Sequence, residues 1–226
     1  LEAQQEKILT YFKRAGFSQA RVSVSTVQEA SGAYVDIEVD IDKGPYRKLE
    51  EIVFSGNRSF SDGALKRRMS TWRRSLLPGI VGRFIKQEFT EDIDKLRSFY
   101  LSQGYADAGI QYDLQASSPQ GAVTPRVDID EGPHYVVDFT GNDFFSARKL
   151  KKAMALYTQG NQYGSGARKS VRQIEAKYRD AGFLEAKASY EIHDAAENGA
   201  PVKQVVIKID EGSRSQVEKI DIQGNQ

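Results

Sequence analysis

VDIDEGPHYVVDFTGN, residues 127–142, decides the fold because the chain writes its pattern three times. VDIDKGPYRKLEEIVFSGN stands at 39–57 and VIKIDEGSRSQVEKIDIQGN at 206–225. In each, an acidic-apolar alternation reaches a glycine turn, a second apolar run follows, and Gly-Asn closes the string. Upstream of each lies an aromatic-flanked glycine, in YFKRAGFSQA (11–20), FYLSQGYADA (99–108) and KYRDAGFLEA (177–186). The Gly-Asn pairs are 85 and 83 residues apart, and the flanked glycines 88 and 78. Landmarks that keep one order at one spacing mark tandem units of about 80 residues.

Counting back from Gly104, apolar residues fall at Tyr100, Leu96 and Ile93; from Gly182 they fall at Tyr178, Ile174 and Val171; from Gly16, at Phe12 and Ile8. Steps of three and four put them on one helical face, and the glycine supplies the left-handed backbone that ends a helix. Two strands follow, the clearest being VDIEVDID (35–42), where apolar residues alternate with acids as on a sheet with one wet face. A glycine turn leads to a further strand, LEEIVFSGN, VVDFTGN or VEKIDIQGN. Ser59 or Ser61, and Ser146, then offer N-caps for the next helix. The predicted class is α+β: tandem β-α-α-β-β repeats, each a three-stranded sheet covered by two helices. The boundaries read as the back half of a unit (1–45), two whole units (46–133 and 134–212) and the first strand of another (213–226). A chain that starts and stops mid-unit reads as a slice of a longer one.

Composition narrows the function. Of 226 residues, 39% are hydrophobic and 28% charged, with a net charge of +1, so no overall field favours nucleic acid. The absence of cysteine excludes disulfides and thiolate metal sites. His134 and His193 occupy non-equivalent positions, so no repeated base or histidine metal cluster is expected. Asp40, Asp42, Asp128 and Asp130 faintly suggest a calcium loop but lack its distal glutamate, and outward-facing acids on a strand explain them better. No cofactor and no enzymatic activity are expected.

Units ending in Asp130-Glu131-Gly132-Pro133, followed by Phe139-Thr140-Gly141-Asn142 and preceded by Phe99-Tyr100 through Gly104-Tyr105-Ala106, resemble POTRA domains. These are the polypeptide-transport-associated modules of outer-membrane assembly proteins of the BamA and TamA kind. The resemblance covers essentially the whole chain. It implies a non-catalytic periplasmic arm in a Gram-negative bacterium, attached to an outer-membrane protein. Unfolded outer-membrane proteins and periplasmic or lipoprotein subunits would be its partners. A two-partner secretion or division protein using the same module is the alternative.

A three-stranded sheet leaves two edges open to strand addition. If the last strand pairs with both others, as the resemblance implies, the free edges are 109–114 and 187–192. They carry Ile110, Tyr112, Leu114, Ala188, Tyr190 and Ile192. KRRMSTWRRSLLPGIVGRFIK (66–86) departs most from the repeat, with seven basic residues and no acid. Arg67, Arg68, Trp72, Arg73, Arg74, Arg83 and Lys86 could face an anionic membrane surface or an acidic partner. The plainer alternative is a long connection packed on its own domain.

Overall fold

The computed structural model describes residues 1–17, 19–28, 35–75, 82–116, 121–197, 199–216, 218–220 and 224. Two compact units form, Leu1–Leu96 with Ile110–Ile129, and Arg97–Gly109 with Asp130–Gln226.

In the first unit, helix α1 (Glu2–Arg14) ends before Gly16 at φ +94 and leads to strand β1 (Arg21–Gln28), antiparallel to β2 (Val35–Asp42). The alternation forecast for 35–42 is present, yet Val35, Ile37, Val39 and Ile41 are 37–56% exposed. Helix α1 lies along β1, with Gln5 Nε2 donating to the Val22 carbonyl, and leaves that apolar face uncovered.

The run expected as one strand before Gly56-Asn57 arrives as β3 (Lys48–Leu49) and β4 (Val53–Ser55), both parallel to β6 (Ala122–Asp130). Strand β5 (Gly109–Ala116) also pairs with β6, making a three-stranded sheet whose first strand is interrupted. Helix α2 (Asp62–Lys66) and α3 (Ser70–Ser75) precede the long α4 (Lys86–Ser102). Ile52, Leu65, Phe89, Leu96 and Val127 are fully buried, each contributing roughly 1.5–3 kcal/mol relative to exposure.

The second unit has strand order β7 (His134–Thr140), β9 (Ala200–Asp210), β8 (Lys187–Glu197), with β7 parallel and β8 antiparallel to the central β9. Short helices α5 (Ala147–Lys151) and α6 (Ala155–Thr158) precede α7 (Gly166–Asp180). Phe145, Leu150, Met154, Leu156, Ile174 and Tyr178 pack with Val205 and Ile207 in one core. The first helix of each repeat is therefore two pieces, not one. Both breaks fall at a fully buried methionine, Met69 and Met154, the chain's only two. Ser61 caps α2 by accepting from the Ala64 amide at 3.4 Å, whereas Ser146 caps α5 through its backbone carbonyl alone.

The Gly-Asn signature has a steric cause. A Cβ on Gly56 would overlap the Ile129 carbonyl oxygen, and one on Gly141 would overlap that of Ile209. Asn57 Nδ2 then donates to the Phe60 carbonyl and Asn142 Nδ2 to that of Phe145, both at 2.9 Å. The final strand expected at 217–225 falls largely outside the described residues.

Candidate functional site

Pairing of β6 and β9 with both neighbours leaves β5 and β8 at sheet edges. Their side chains differ. Ile110 is buried, Tyr112 and Leu114 are half-buried, and Tyr112 meets the Phe89 ring edge-on at 5.2 Å with its hydroxyl 3.1 Å from Thr90 Oγ1. On β8, Ala188 packs against the core, while Tyr190 and Ile192 are 38% and 41% exposed beside Ile207 and Val205. The Ala188 amide donates to Glu175 Oε1 at 3.0 Å, so it points away from β9. Backbone groups of an antiparallel strand alternate in direction, so those of Tyr190 and Ile192 also point outward. Strand β8 thus presents open main-chain donors and acceptors next to two accessible apolar side chains. Lys208 pairs with Glu191 at 2.6 Å on the opposite face, and Lys203 with Asp194 at 3.0 Å further along the same face as Tyr190 and Ile192. The hydrogen bond from Lys208, ahead of its charge, lowers the Glu191 carboxyl pKa.

The repeated acids are structural. Asp42, Asp130 and Asp210 each accept from the amide of the glycine two residues on, at 2.9, 3.2 and 3.2 Å. Glu131 accepts from the Tyr100 hydroxyl at 3.1 Å, and Glu211 from Tyr178 at 2.7 Å. Burial first, and then these carboxylates, push both tyrosines far above their ordinary pKa. In the first copy both partners change together: the tyrosine is Phe12, the glutamate is Lys43, and the ammonium lies 5.6 Å from the ring centroid. Sequence reading saw the motif but not this pairing, although the tyrosines four residues before Gly104 and Gly182 were a visible signal.

A second device recurs beside it. The carbonyl just before each helix-ending glycine receives a side-chain nitrogen: Ala15 from Arg83 at 3.0 Å, Ala181 from Arg214 at 3.0 Å, and Gln103 beside His134 Nε2 at 3.0 Å. Each of these side chains also lies on an aromatic ring, Arg83 on Phe17, His134 on Tyr105 and Arg214 on Phe144. Arg83, expected as a surface cation, is therefore held over Phe17 and Tyr46. Of the other residues singled out in 66–86, Arg67, Arg73 and Lys86 are exposed, and Arg68 donates to the Ala64 carbonyl. Trp72 is half-buried beneath the Lys66 ammonium at 4.7 Å. Residues 76–81 and the Arg74 side chain lie outside the described residues.

Among the described residues, no group of three His, Cys, Asp or Glu side chains is placed to hold a metal, and no helix is long and apolar enough to cross a membrane.

The sequence profile of POTRA, surface antigen variable number repeat, matches residues 48–132 and 136–212. A Treponema pallidum chain is 25% identical over 233 residues, spanning 99% of this chain and 27% of that one. The outer membrane protein assembly factor BamA of Neisseria meningitidis serogroup B is 26% identical over 198 residues, or 84% of this chain. This chain spans about a quarter of the length of the curated relatives it matches. Among solved structures, BamA POTRA3-5 of Haemophilus influenzae aligns with 90% of this chain and 79% of its own, at 18% identity and a TM-score of 0.39.

Proposed function

The chain belongs to the POTRA family, and from that membership we propose that it serves as a non-catalytic periplasmic arm of an outer-membrane protein in a Gram-negative bacterium. That protein assembles β-barrels or translocates chains, and the arm receives unfolded outer-membrane segments or partner subunits by strand addition. The observation that carries this reading is the β8 edge, where Tyr190 and Ile192 turn main-chain groups outward beside exposed apolar side chains. Strand addition draws its affinity from the backbone, so one edge can serve many sequences, and alternate side chains add modest selectivity. The names of the relatives, assembly factors of the outer membrane, support the setting.

The test uses geometry particular to this edge. Proline at position 190 removes an outward N–H without touching the β8–β9 ladder, and proline is tolerated on edge strands. Tyr190→Pro should keep the sheet, seen as unchanged amide spectra for β9, and lose binding of a labelled strand peptide from an unfolded outer-membrane barrel. Undiminished binding to a folded Tyr190→Pro protein rejects strand addition at β8.

A further inference from the structure

The net charge of +1 conceals a segregation of charge within the second unit. From the start of α5 to the end of α7, positions 147–180, stand nine basic residues and two acids, Asp180 at the helix end and Glu175. Glu175 is occupied, because it accepts from the Ala188 amide. Arg148 on α5, Lys152 just after it, and Arg168, Lys169 and Arg172 on α7 are all exposed. No carboxylate among the described residues pairs with any of these five. Two lysines of the sheet behave differently, Lys203 and Lys208 each meeting an acid across the β8–β9 ladder. The helical layer is thus the unneutralised face of the second unit.

Beside the first turn of α7 stands an exposed aromatic. Tyr163 is fully exposed and has φ +54, the only non-glycine positive φ recorded among the described residues. The turn that holds it is fastened. The Asn161 amide donates to the Ala106 carbonyl at 2.8 Å, and Asn161 Nδ2 donates to Asp107 Oδ1 and the Tyr135 hydroxyl. Asn161 Oδ1 accepts from the Gly166 amide, and Ser165 Oγ donates to the Gln162 carbonyl. A β-carbon in the left-handed region is disfavoured, and here the surrounding bonds hold it there with the ring in solvent.

We propose that this layer is a docking surface for an anionic lipid bilayer, with Arg148, Lys152, Arg168, Lys169 and Arg172 against headgroup phosphates and Tyr163 at the interface. Tyrosine has an apolar body and a polar tip, which suits the headgroup level of a membrane. Clustered lysine and arginine are what an anionic leaflet attracts. Headgroup phosphates are mobile and need no carved pocket, which matches side chains that are exposed on the helices. Nucleic acid fits less well, because a lone tyrosine gives no succession of rings for bases to stack on. The surface is separate from the β8 edge, so either role can fail without the other.

Sedimentation of the 226-residue chain with vesicles provides the test. Vesicles of phosphatidylethanolamine with a quarter phosphatidylglycerol should carry the protein down at low salt, and vesicles of phosphatidylcholine should not. Arg168→Glu/Lys169→Glu should weaken binding by more than about tenfold, given about fivefold per basic residue at an anionic surface. Tyr163→Ser should weaken it by about threefold, and Arg168→Gln/Lys169→Gln should fall between wild type and the reversal, with amide spectra confirming folding. Arg67→Glu/Arg73→Glu should bind as wild type. Failure of the wild type to sediment, equal sedimentation of the folded reversal variant, or a loss confined to the Arg67/Arg73 variant overturns the proposal. So does capture by polyglutamate or DNA without capture by anionic vesicles.

Discussion

Strand β7 runs unbroken from His134 to Thr140 against β9, whereas the matching stretch of the preceding repeat is paired with β6 in two pieces, Lys48–Leu49 and Val53–Ser55. Aligning Ile129 with Ile209 puts Pro125 of β6 where β9 has Val205. Proline carries no amide hydrogen, so the ladder lacks a rung there, and residues 50–52 bulge past 124 and 125. Ile52 nevertheless stays fully buried. The strand holds its place through its apolar side chains, and a complete ladder is dispensable.

A second contrast lies at the start of the second short helix. In the first unit the Thr71 amide donates to Asp92 Oδ2 at 2.7 Å; in the second the Leu156 amide donates to Ser170 Oγ at 3.1 Å. Asp92 and Ser170 each stand twelve residues before a helix-ending glycine, and both are fully buried. One repeat thus uses a charge where the other uses a hydroxyl. Burial alone would raise the Asp92 carboxyl, but Lys95 and the Thr71 and Ser70 amides more than offset it and hold the pKa below its ordinary value.

The largest expected effect removes what the repeats share. Gly141→Ala should cost about 4 kcal/mol through backbone overlap and a positive φ, with Gly56→Ala costing much the same. Urea midpoints that barely move would show that the crossing relaxes. Val205→Pro should make β7 resemble its broken counterpart at a cost of about 3 kcal/mol, and Pro125→Val should mend the first strand for a gain of about 1 kcal/mol. Amide protection at Asp138 in the one variant and at residue 125 in the other reads the outcome. The Asp92 contrast predicts a difference in acid. Its folded pKa lies below the unfolded one, so its stabilisation is present above the unfolded value and vanishes as pH falls through the folded value. The protection factor at Thr71 should drop below about pH 4, while that at Leu156 holds. Asp92→Ser should abolish this difference. Smallest is an optical effect. Burial, with Asp138 adding to it, pushes Tyr157 up to about 12. Tyr100, Tyr135 and Tyr178 lie higher still. Of 11 tyrosines, these four should remain un-ionised in an ultraviolet titration at pH 11. Raised values stabilise the fold below the unfolded pKa near 10, and that contribution is lost as pH climbs through the folded values.

Much of the architecture was legible because it rests on local rules. Gly16, Gly104 and Gly182 end their helices at φ +94, +95 and +96, and Ser61 caps α2 as its side chain suggests. The alternation at 35–42 gave the strand but not its exposure, which depends on what covers it. The break in the first strand escaped because Pro125 lies some seventy residues away in sequence. The split helices escaped because nothing in DGALKRRMSTW interrupts a helical pattern; the break coincides with the buried Met69. At the candidate site, the identity of the edge strands followed from the strand order that the resemblance implies, whereas the difference between β5 and β8 did not. It arises from Phe89 and Thr90 closing over Tyr112 while Tyr190 has no such neighbour recorded. Arg83 looked like a free cation because its rings, Phe17 and Tyr46, lie far upstream.

Glu175 has a consequence for register. By occupying the Ala188 amide it closes the first outward rung of β8, so under the proposed strand addition a polypeptide laid along that edge would start at Tyr190. A slip of one residue would turn every side chain of the visitor to the opposite face. In that proposal the glutamate would act as a doorstop that sets the visitor's phase, so that clients differing in every side chain would enter in step.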